Sequence, residues 1–461
     1  MLYVLLLILI TLTVTSYILY KDVLSPSFLV CGVFSVSCAF AIIGNFKWSV
    51  SVSWVTVVIL SGMLLLIFLG ELIARIDYNK FFKVSTLLNP EKTISPVKTD
   101  DVKYNKKVLI VLAVISVLTI ILQYFQILKL AKFQGYVANA GMDLLKYARI
   151  AMRNGYSQAT LTSVLMFFTK GVGFVCTCIF INRIIKCKPS KEFFKENWLL
   201  LVPTFCLLVL LFISTSRDGF IGVVVMVFYF VIRAIQEKGN FNIVKALAIA
   251  AISLVGFFAL FLIISKLRGQ NMDIIDIVSV YAGSPIVAFD LWYKVGYMEP
   301  TQLLFKESFW GVHYFISKLN PNYVIPNNFL EFIRFPNGID QTNIYTAFRS
   351  WIRDFGLFGC CAFSLFIGFA FGFVHTLLLN KKYKHGFLFN IFYSYFLFYL
   401  VYSFATPLLT TSFLTLTQIF EFGFIFVAYF MLTEMPSFIL KVKSKLKDRF
   451  KKKDEDTIKI D

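Results

Sequence analysis

The sequence predicts an all-α polytopic membrane protein, and three observations carry that prediction. Hydrophobic residues make up 58% of the 461 residues and charged residues only 15%, which excludes a water-soluble globule of this size. Apolar stretches of roughly 17–25 residues, the length of helix that crosses a bilayer core, recur along the whole chain. Lysines collect between alternate stretches, as they do in chains oriented by the positive-inside rule.

Taken in order, the stretches lie near 2–20, 26–44, 52–74, 107–131, 158–182, 197–213, 220–236, 244–264, 355–379, 387–405 and 413–432, about eleven spans. The first has no basic leader and no small-residue cleavage site, so it reads as a retained helix. Lysine-rich segments such as "NRIIKCKPSKEFFKEN", "KKYKHG" and "KVKSKLKDRFKKK" fall on one side, the cytosol. The N-terminus is then outside and the basic tail, 441–461, inside. Residues 1–265 carry the first eight spans and 349–440 the last three. Residues 266–348 form the one large extracytoplasmic loop. Within it "FKESFWGVHYFISKL" sets Phe305, Phe309, Val312, Ile316 and Leu319 on one stripe of an amphipathic helix. "DIIDIVSVYAGSPIVAFDLW" reads as two short helices meeting at a bend at Gly283-Ser284-Pro285. The net charge of +19 is that of lysines beside anionic lipids and calls for no nucleic acid. Cysteine usage implies no disulfide framework, and three scattered His offer no zinc-ligand spacing.

Arginine departs from the lysine pattern. Arg75, Arg183, Arg233 and Arg449 are cytosolic in this topology, whereas Arg149, Arg153, Arg217, Arg268, Arg334, Arg349 and Arg353 lie outside, against the positive-inside rule. Guanidinium binds phosphate through a planar two-donor fork and is weakly hydrated. A pyrophosphate at the outer membrane surface suits such a set. Snorkelling at the interface is the plainer alternative.

Two clusters stand out. "STSRDG", 214–219, separates apolar runs of about 16 and 14 residues, roughly 24 and 21 Å of helix against a ~30 Å core. A recessed turn is expected, with Arg217 paired to Asp218 or aimed at a ligand. In "QTNIYTAFRSWIRDFGLFG", Tyr345, Arg349, Arg353 and Gly356 fall along one helix face, with Ser350 and Asp354 beside them. Two cations at i, i+4 repel unless an anion lies between them. Gly356 and Gly359 are expected to permit close helix approach. Asp290 and Tyr281 are candidate sugar-binding groups, and His313 a candidate proton carrier.

These segments resemble the bacterial oligosaccharide repeat-unit polymerases of the O-antigen and capsule (Wzy) group. "STSRDGFIG" is similar to that family's Ser-Arg-small turn and "YAGSPIVAFD" to its Tyr-Gly-Pro segment. "TNIYTAFRSWIRDFGLFG" is similar to its Asn-x-Tyr-Thr … Asp-Phe-Gly segment. The resemblance implies a GT-C-like helical fold in a bacterial inner or plasma membrane. It also implies block transfer of a glycan from undecaprenyl pyrophosphate to a sugar hydroxyl of a lipid-linked repeat unit. Membrane lipids and a chain-length regulator are the implied partners, with no cofactor. Arg217, Arg268, Arg349 and Arg353 would bind the pyrophosphate, and Tyr281, Asn343 and Tyr345 the sugar. Asp218, Asp290, His313, Asp354 and Glu331 are candidates for the proton acceptor. The absence of an external acidic pair implies a metal-independent transfer. O-antigen ligases carry a His where Asn343 stands, which disfavours ligation. A lipid-linked oligosaccharide flippase, the other alternative, would want shorter loops.

Overall fold

The computed structural model describes residues 1–76, 102–136, 143–239, 274–296, 303–380 and 385–434 apart from a few isolated positions, and only scattered residues of 240–273. The expected span at 244–264 and the basic tail therefore lie largely or wholly outside the described residues.

The described chain is helical apart from one two-stranded hairpin. Eleven described helices are long and apolar enough to cross a membrane. Ten coincide with stretches read from the sequence: α1 (Leu2–Tyr20), α2 (Pro26–Trp48), α3 (Trp54–Arg75), α4 (Lys106–Phe133), α6 (Thr160–Lys186), α7 (Lys191–Ile213), α8 (Arg217–Glu237), α12 (Ala347–Asn380), α13 (Gly386–Val401) and α15 (Leu416–Thr433). Short helices α5 (Leu144–Arg153), α11 (Trp310–Leu319) and α14 (Leu408–Thr411) complete the set with the run over 274–295. The chain is a multi-pass membrane protein.

Polar side chains set the helix starts. Ser53 accepts from the Thr56 amide at 3.3 Å, Asn105 from that of Lys107 at 2.8 Å and Ser190 from that of Phe193 at 3.1 Å, each satisfying an otherwise orphaned first-turn donor. Pro26 opens α2 from the first turn, where its missing N–H costs nothing.

The eleventh apolar run is two α-helices joined at the expected place by a π-helical turn. α9 (Ile274–Val278), a π-helical turn (Ser279–Gly283) and α10 (Ser284–Val295) follow one another with helical backbone angles at the junctions. One end of this run is tied to the last turn of α2 and the other to the turn that leads into α3. Asp276 pairs with Lys47 at 2.6 Å, Lys294 donates to the Ser51 carbonyl, and Asp290 accepts from Ser53. Gly283 is required in the π-helical turn: a Cβ would stand 2.5 Å from the Phe40 and Ala41 backbone.

The described helices group into two compact units, a division not read from the sequence. The first holds Met1–Thr99 and Thr215–Ile419, the second Asp100–Ser214 and Phe420–Asp461. In the first, α3 and α12 pack along their lengths at backbone distance. Cβ atoms at Gly70 and Gly368 would fall on the carbonyls of Leu365 and Ile67, and one at Gly372 would stand 2.8 Å from Glu71 Cγ. Gly368 and Gly372 form the small-xxx-small spacing by which membrane helices approach. In the second unit, Gly173 fits against Pro203 and Leu207 of α7, and Gly171 against Phe424 of α15.

α12 is two helices in one. Gly356 has φ 68 and ψ 178, a region open essentially to glycine alone. A short segment, 347–355, therefore precedes a long apolar arm, 357–380. Gly356 serves this break and not the close packing expected of it: no neighbour lies within 4 Å of a Cβ built there. Gly359 likewise makes room only for the Phe355 side chain of its own helix.

Candidate functional site

The short first segment of α12 carries the strongest concentration of charge near the 303–346 loop. Its inner face is apolar. Phe348 packs on Phe34 of α2 with centroids 5.6 Å apart, and Trp351 donates to Thr410 Oγ1 at 3.2 Å. That anchoring fixes Arg349, which is fully buried. Its guanidinium lies 4.5 Å from the Tyr345 ring and 5.4 Å from that of Trp292, a cation–π arrangement on two sides.

The anion required between two cations at i, i+4 is present as carboxylate. Glu307 Oε2 receives Arg349 Nη1 at 2.7 Å, and its Oε1 receives Arg353 Nη1 at 2.8 Å. Glu331 pairs with Arg349 Nη2 and, at 3.0 Å, with Arg353 Nη1. The Nε atoms of both arginines are buried without a hydrogen-bond partner. Asp354 accepts the backbone amide of Glu307 at 3.0 Å and that of Ser308, so it holds the turn that presents Glu307.

Crowding perturbs the acids in opposite senses. Burial pushes the Glu307 carboxyl above its ordinary value; Arg349 and Arg353 oppose this, while Asp354 and Glu331 add to it. For Glu331 burial also pushes upward, but its own backbone amide and the two guanidiniums outweigh it, and the carboxyl is held below its usual value. Two neighbouring carboxylates with diverging proton affinities are a pattern of functional sites.

The segment 320–332, without regular helix or strand, brings Glu331 to this cluster and is hydrogen-bonded to its surroundings at three points. His313 Nδ1 bonds the Tyr323 hydroxyl at 2.6 Å, Trp310 Nε1 donates to the Pro326 carbonyl at 2.9 Å, and the Tyr345 hydroxyl donates to the Glu331 carbonyl at 2.9 Å. A hairpin follows, β1 (Ile333–Arg334) against β2 (Gln341–Thr342). Phe335 in its turn stacks on Trp48.

The structure thus brings together Arg349, Arg353, Asp354, Tyr345 and Glu331, while His313 is held by Tyr323. Tyr345 precedes α12 instead of lying on its face, yet its ring still meets Arg349. Asp290 stands apart, fully buried, accepting from the Ser53 amide and hydroxyl at 2.8 and 2.6 Å and from Thr56 at 2.8 Å, with Lys294 at 2.6 Å. Trp292, two residues on in α10, is the residue of that helix whose ring meets Arg349. Asn343 is half-buried after β2, and Tyr281 half-buried in the π-helical turn. Asp218 is exposed and accepts from the Tyr402 hydroxyl at 2.8 Å. Arg217 is the first residue of α8 instead of standing in a turn, and α7 begins at Lys191, so neither helix is short. Arg268 lies outside the described residues.

The sequence reading missed Glu307 and Trp292. "FKESFW" was legible only as an amphipathic edge, and a Glu before an apolar helix has no pattern of its own. It also missed a second buried cluster at the opposite ends of α3 and α12. There His375 Nε2 meets Asp22 Oδ2 at 2.6 Å, and Gln236 donates to Asp22 Oδ1 at 2.9 Å. Glu71 accepts from Ser25 Oγ at 2.8 Å, the Ser27 amide at 2.8 Å and Arg75 Nε at 2.8 Å. Arg233 donates to the Leu378 carbonyl at 2.9 Å and pairs with Glu237 at 3.3 Å. These groups join the ends of α1, α2, α3, α8 and α12, while Glu331 at the first cluster has a half-exposed side chain. Exchange with a ligand suits the first cluster better.

Fold and site together define a multi-pass α-helical membrane protein with a buried arginine–carboxylate centre beneath a long loop. Over 137 residues the chain is 32% identical to an O-antigen polymerase of Shigella dysenteriae, covering 28% of this chain and 33% of that protein. The similarity spans a third of the relative's length. No family model matches the chain, and no solved structure matches it.

Proposed function

We propose that this protein joins lipid-linked oligosaccharide repeat units into a surface polysaccharide at the outer face of a bacterial inner or plasma membrane. The observation that carries this reading is the convergence of Arg349 and Arg353 on the carboxylates of Glu307 and Glu331, both from the 303–346 loop. Lysine placement puts that loop outside, and the partial similarity to an O-antigen polymerase favours the same chemistry.

In the proposed reaction a hydroxyl oxygen of the incoming repeat unit attacks the anomeric carbon of the growing chain. The bond from that carbon to the diphosphate oxygen breaks, and undecaprenyl diphosphate leaves with the electron pair. Arg349 and Arg353 stabilise the charge that builds on it, the effect that usually dominates such transfers. The hydroxyl proton passes to a carboxylate, a contribution of about 10²–10⁴-fold. Asp290 and Asp354 are committed to holding α3 and the 305–309 turn. Glu307 and Asp218 are the acids with capacity for that proton. Tyr345 and Trp292 hold Arg349 in place, and sugar contacts are assigned in this reading to Asn343 and Tyr281.

The glycan profile of a deletion strain tests the reading. A polymerase predicts loss of polymer with single repeat units retained. Loss of all surface glycan would mean a ligase, and repeat units trapped at the inner face a flippase.

A further inference from the structure

We propose that the Glu331 carboxylate is a built-in stand-in for a substrate phosphate, and that the diphosphate of the lipid-linked glycan displaces it and releases the 320–332 segment. This rests on the polymerase reading of the Arg349–Arg353 centre and adds how that centre is kept before substrate arrives.

The partners of the centre differ in their freedom to leave. Arg349 has no exposed side-chain surface, and Glu307 shows only 8% of its own, whereas the Glu331 side chain is 50% exposed. Moving Glu331 into water removes little burial. The guanidinium it leaves cannot follow, and an uncompensated buried charge is strongly unfavourable. Glu331 therefore exchanges only against another anion. A phosphate matches, because a guanidinium fork receives a carboxylate and a phosphate in the same planar geometry. The buried Nε atoms of Arg349 and Arg353, without partners, give a diphosphate donors that the carboxylates leave unused.

The segment that carries Glu331 is built to move with it. Its ties to the protein include the Tyr323–His313, Pro326–Trp310 and Glu331–Tyr345 hydrogen bonds, the stacking of Tyr323 on His313 and the ion pairs of Glu331. Val324 and Phe329 are 86% and 88% exposed, so apolar burial adds little there. Losing the ion pairs removes the strongest tie. A bound anion thus favours the open segment, and the closed segment weakens anion binding by the fraction of time it occupies the seat.

The test uses the purified full-length protein in lipid nanodiscs, with inorganic pyrophosphate or undecaprenyl diphosphate as the probe. Hydrogen exchange over 320–332 is followed by mass spectrometry, and pyrophosphate affinity by calorimetry. In the wild type, pyrophosphate is expected to speed exchange over 320–332, and undecaprenyl diphosphate to do so at lower concentration. Glu331→Gln is expected to exchange rapidly there without ligand and to bind pyrophosphate about tenfold or more tightly. The wild-type exchange result stands by itself should the variant misfold. Equal affinity in both proteins, with 320–332 still protected when pyrophosphate is bound, would overturn this inference and leave the polymerase reading intact. Release by inorganic pyrophosphate alone would overturn the assignment to a lipid-borne substrate. Failure of either protein to bind any diphosphate would instead remove the diphosphate role of Arg349 and Arg353.

Discussion

At the scale of residues, the centre depends on fork geometry as much as on charge. Lysine keeps the charge of Arg353 but replaces the planar fork with a point charge. Arg353→Lys is expected to lower polymer formation by about 10²–10³-fold, the cost of losing an oriented transition-state donor, at wild-type protein levels. Arg349→Ala is a different experiment. It strands Glu307 beside a void and is expected to destabilise the protein by about 3–5 kcal/mol, read as a lower melting temperature in detergent. The acids also set a pH signature. Because the folded-state pKa of Glu331 is lowered from 4.5, its stabilisation is present above about pH 4.5 and is lost as pH falls through the folded value. Glu307 runs oppositely: burial raises its pKa, so its contribution to stability is present below about pH 4.5 and is lost as pH rises through its folded value. The stability difference between wild type and Glu331→Gln should therefore vanish on acidification below pH 4.5; a difference that grows there would contradict the pairing. Arg349 and Arg353 were legible because four residues of helix separate them. Glu307 and Glu331 lie 42 and 18 residues from Arg349 in sequence, and no local pattern connects side chains so far apart.

At the scale of elements, glycines decide where α12 breaks and how closely it packs. Gly356→Ala forces a Cβ into φ 68 and ψ 178, at a cost of order 1–3 kcal/mol. It is expected to lower both melting temperature and polymer yield by shifting the 347–355 segment. Gly368→Leu should be worse, since the new side chain would collide with the Ile67 carbonyl; crosslinking between cysteines placed on α3 and α12 would report the separation. Glu71→Gln should destabilise by about 3–5 kcal/mol by leaving Arg75 uncompensated in a buried site. Sequence periodicity showed the spans because lipid-facing helices need length and apolarity and little else. It misread Gly356, since a glycine demanded by backbone angle and one demanded by packing look alike in sequence. It passed over Gly368-x-x-x-Gly372, whose partner Gly70 comes from a distant helix. Gly283-Ser284-Pro285 marks the junction of α9 and α10, where the π-helical turn ends. Here Pro285 stands in the first turn of α10, where a helix accepts it.

At the scale of the whole molecule, the helices form two compact units that interleave in sequence, which no composition shift announces. The function depends on which side of the membrane the 303–346 loop faces. A cysteine at the exposed Asn322 is expected to react with an impermeant thiol reagent in spheroplasts, whereas one at Lys453 and the native, exposed Cys187 are not. Labelling of Cys187 with protection at 322 would place the arginine centre on the cytosolic side. The most direct measurement is reconstitution. Purified protein in nanodiscs, given undecaprenyl-diphosphate-linked repeat units, is expected to produce a ladder of glycans and to release one undecaprenyl diphosphate for each bond formed. Arg353→Ala, reconstituted to the same level, should produce neither. A full ladder from Arg353→Ala, or intact repeat units recovered unchanged from the wild type, would contradict the assignment of the Arg349–Arg353 centre as the place where repeat units are joined.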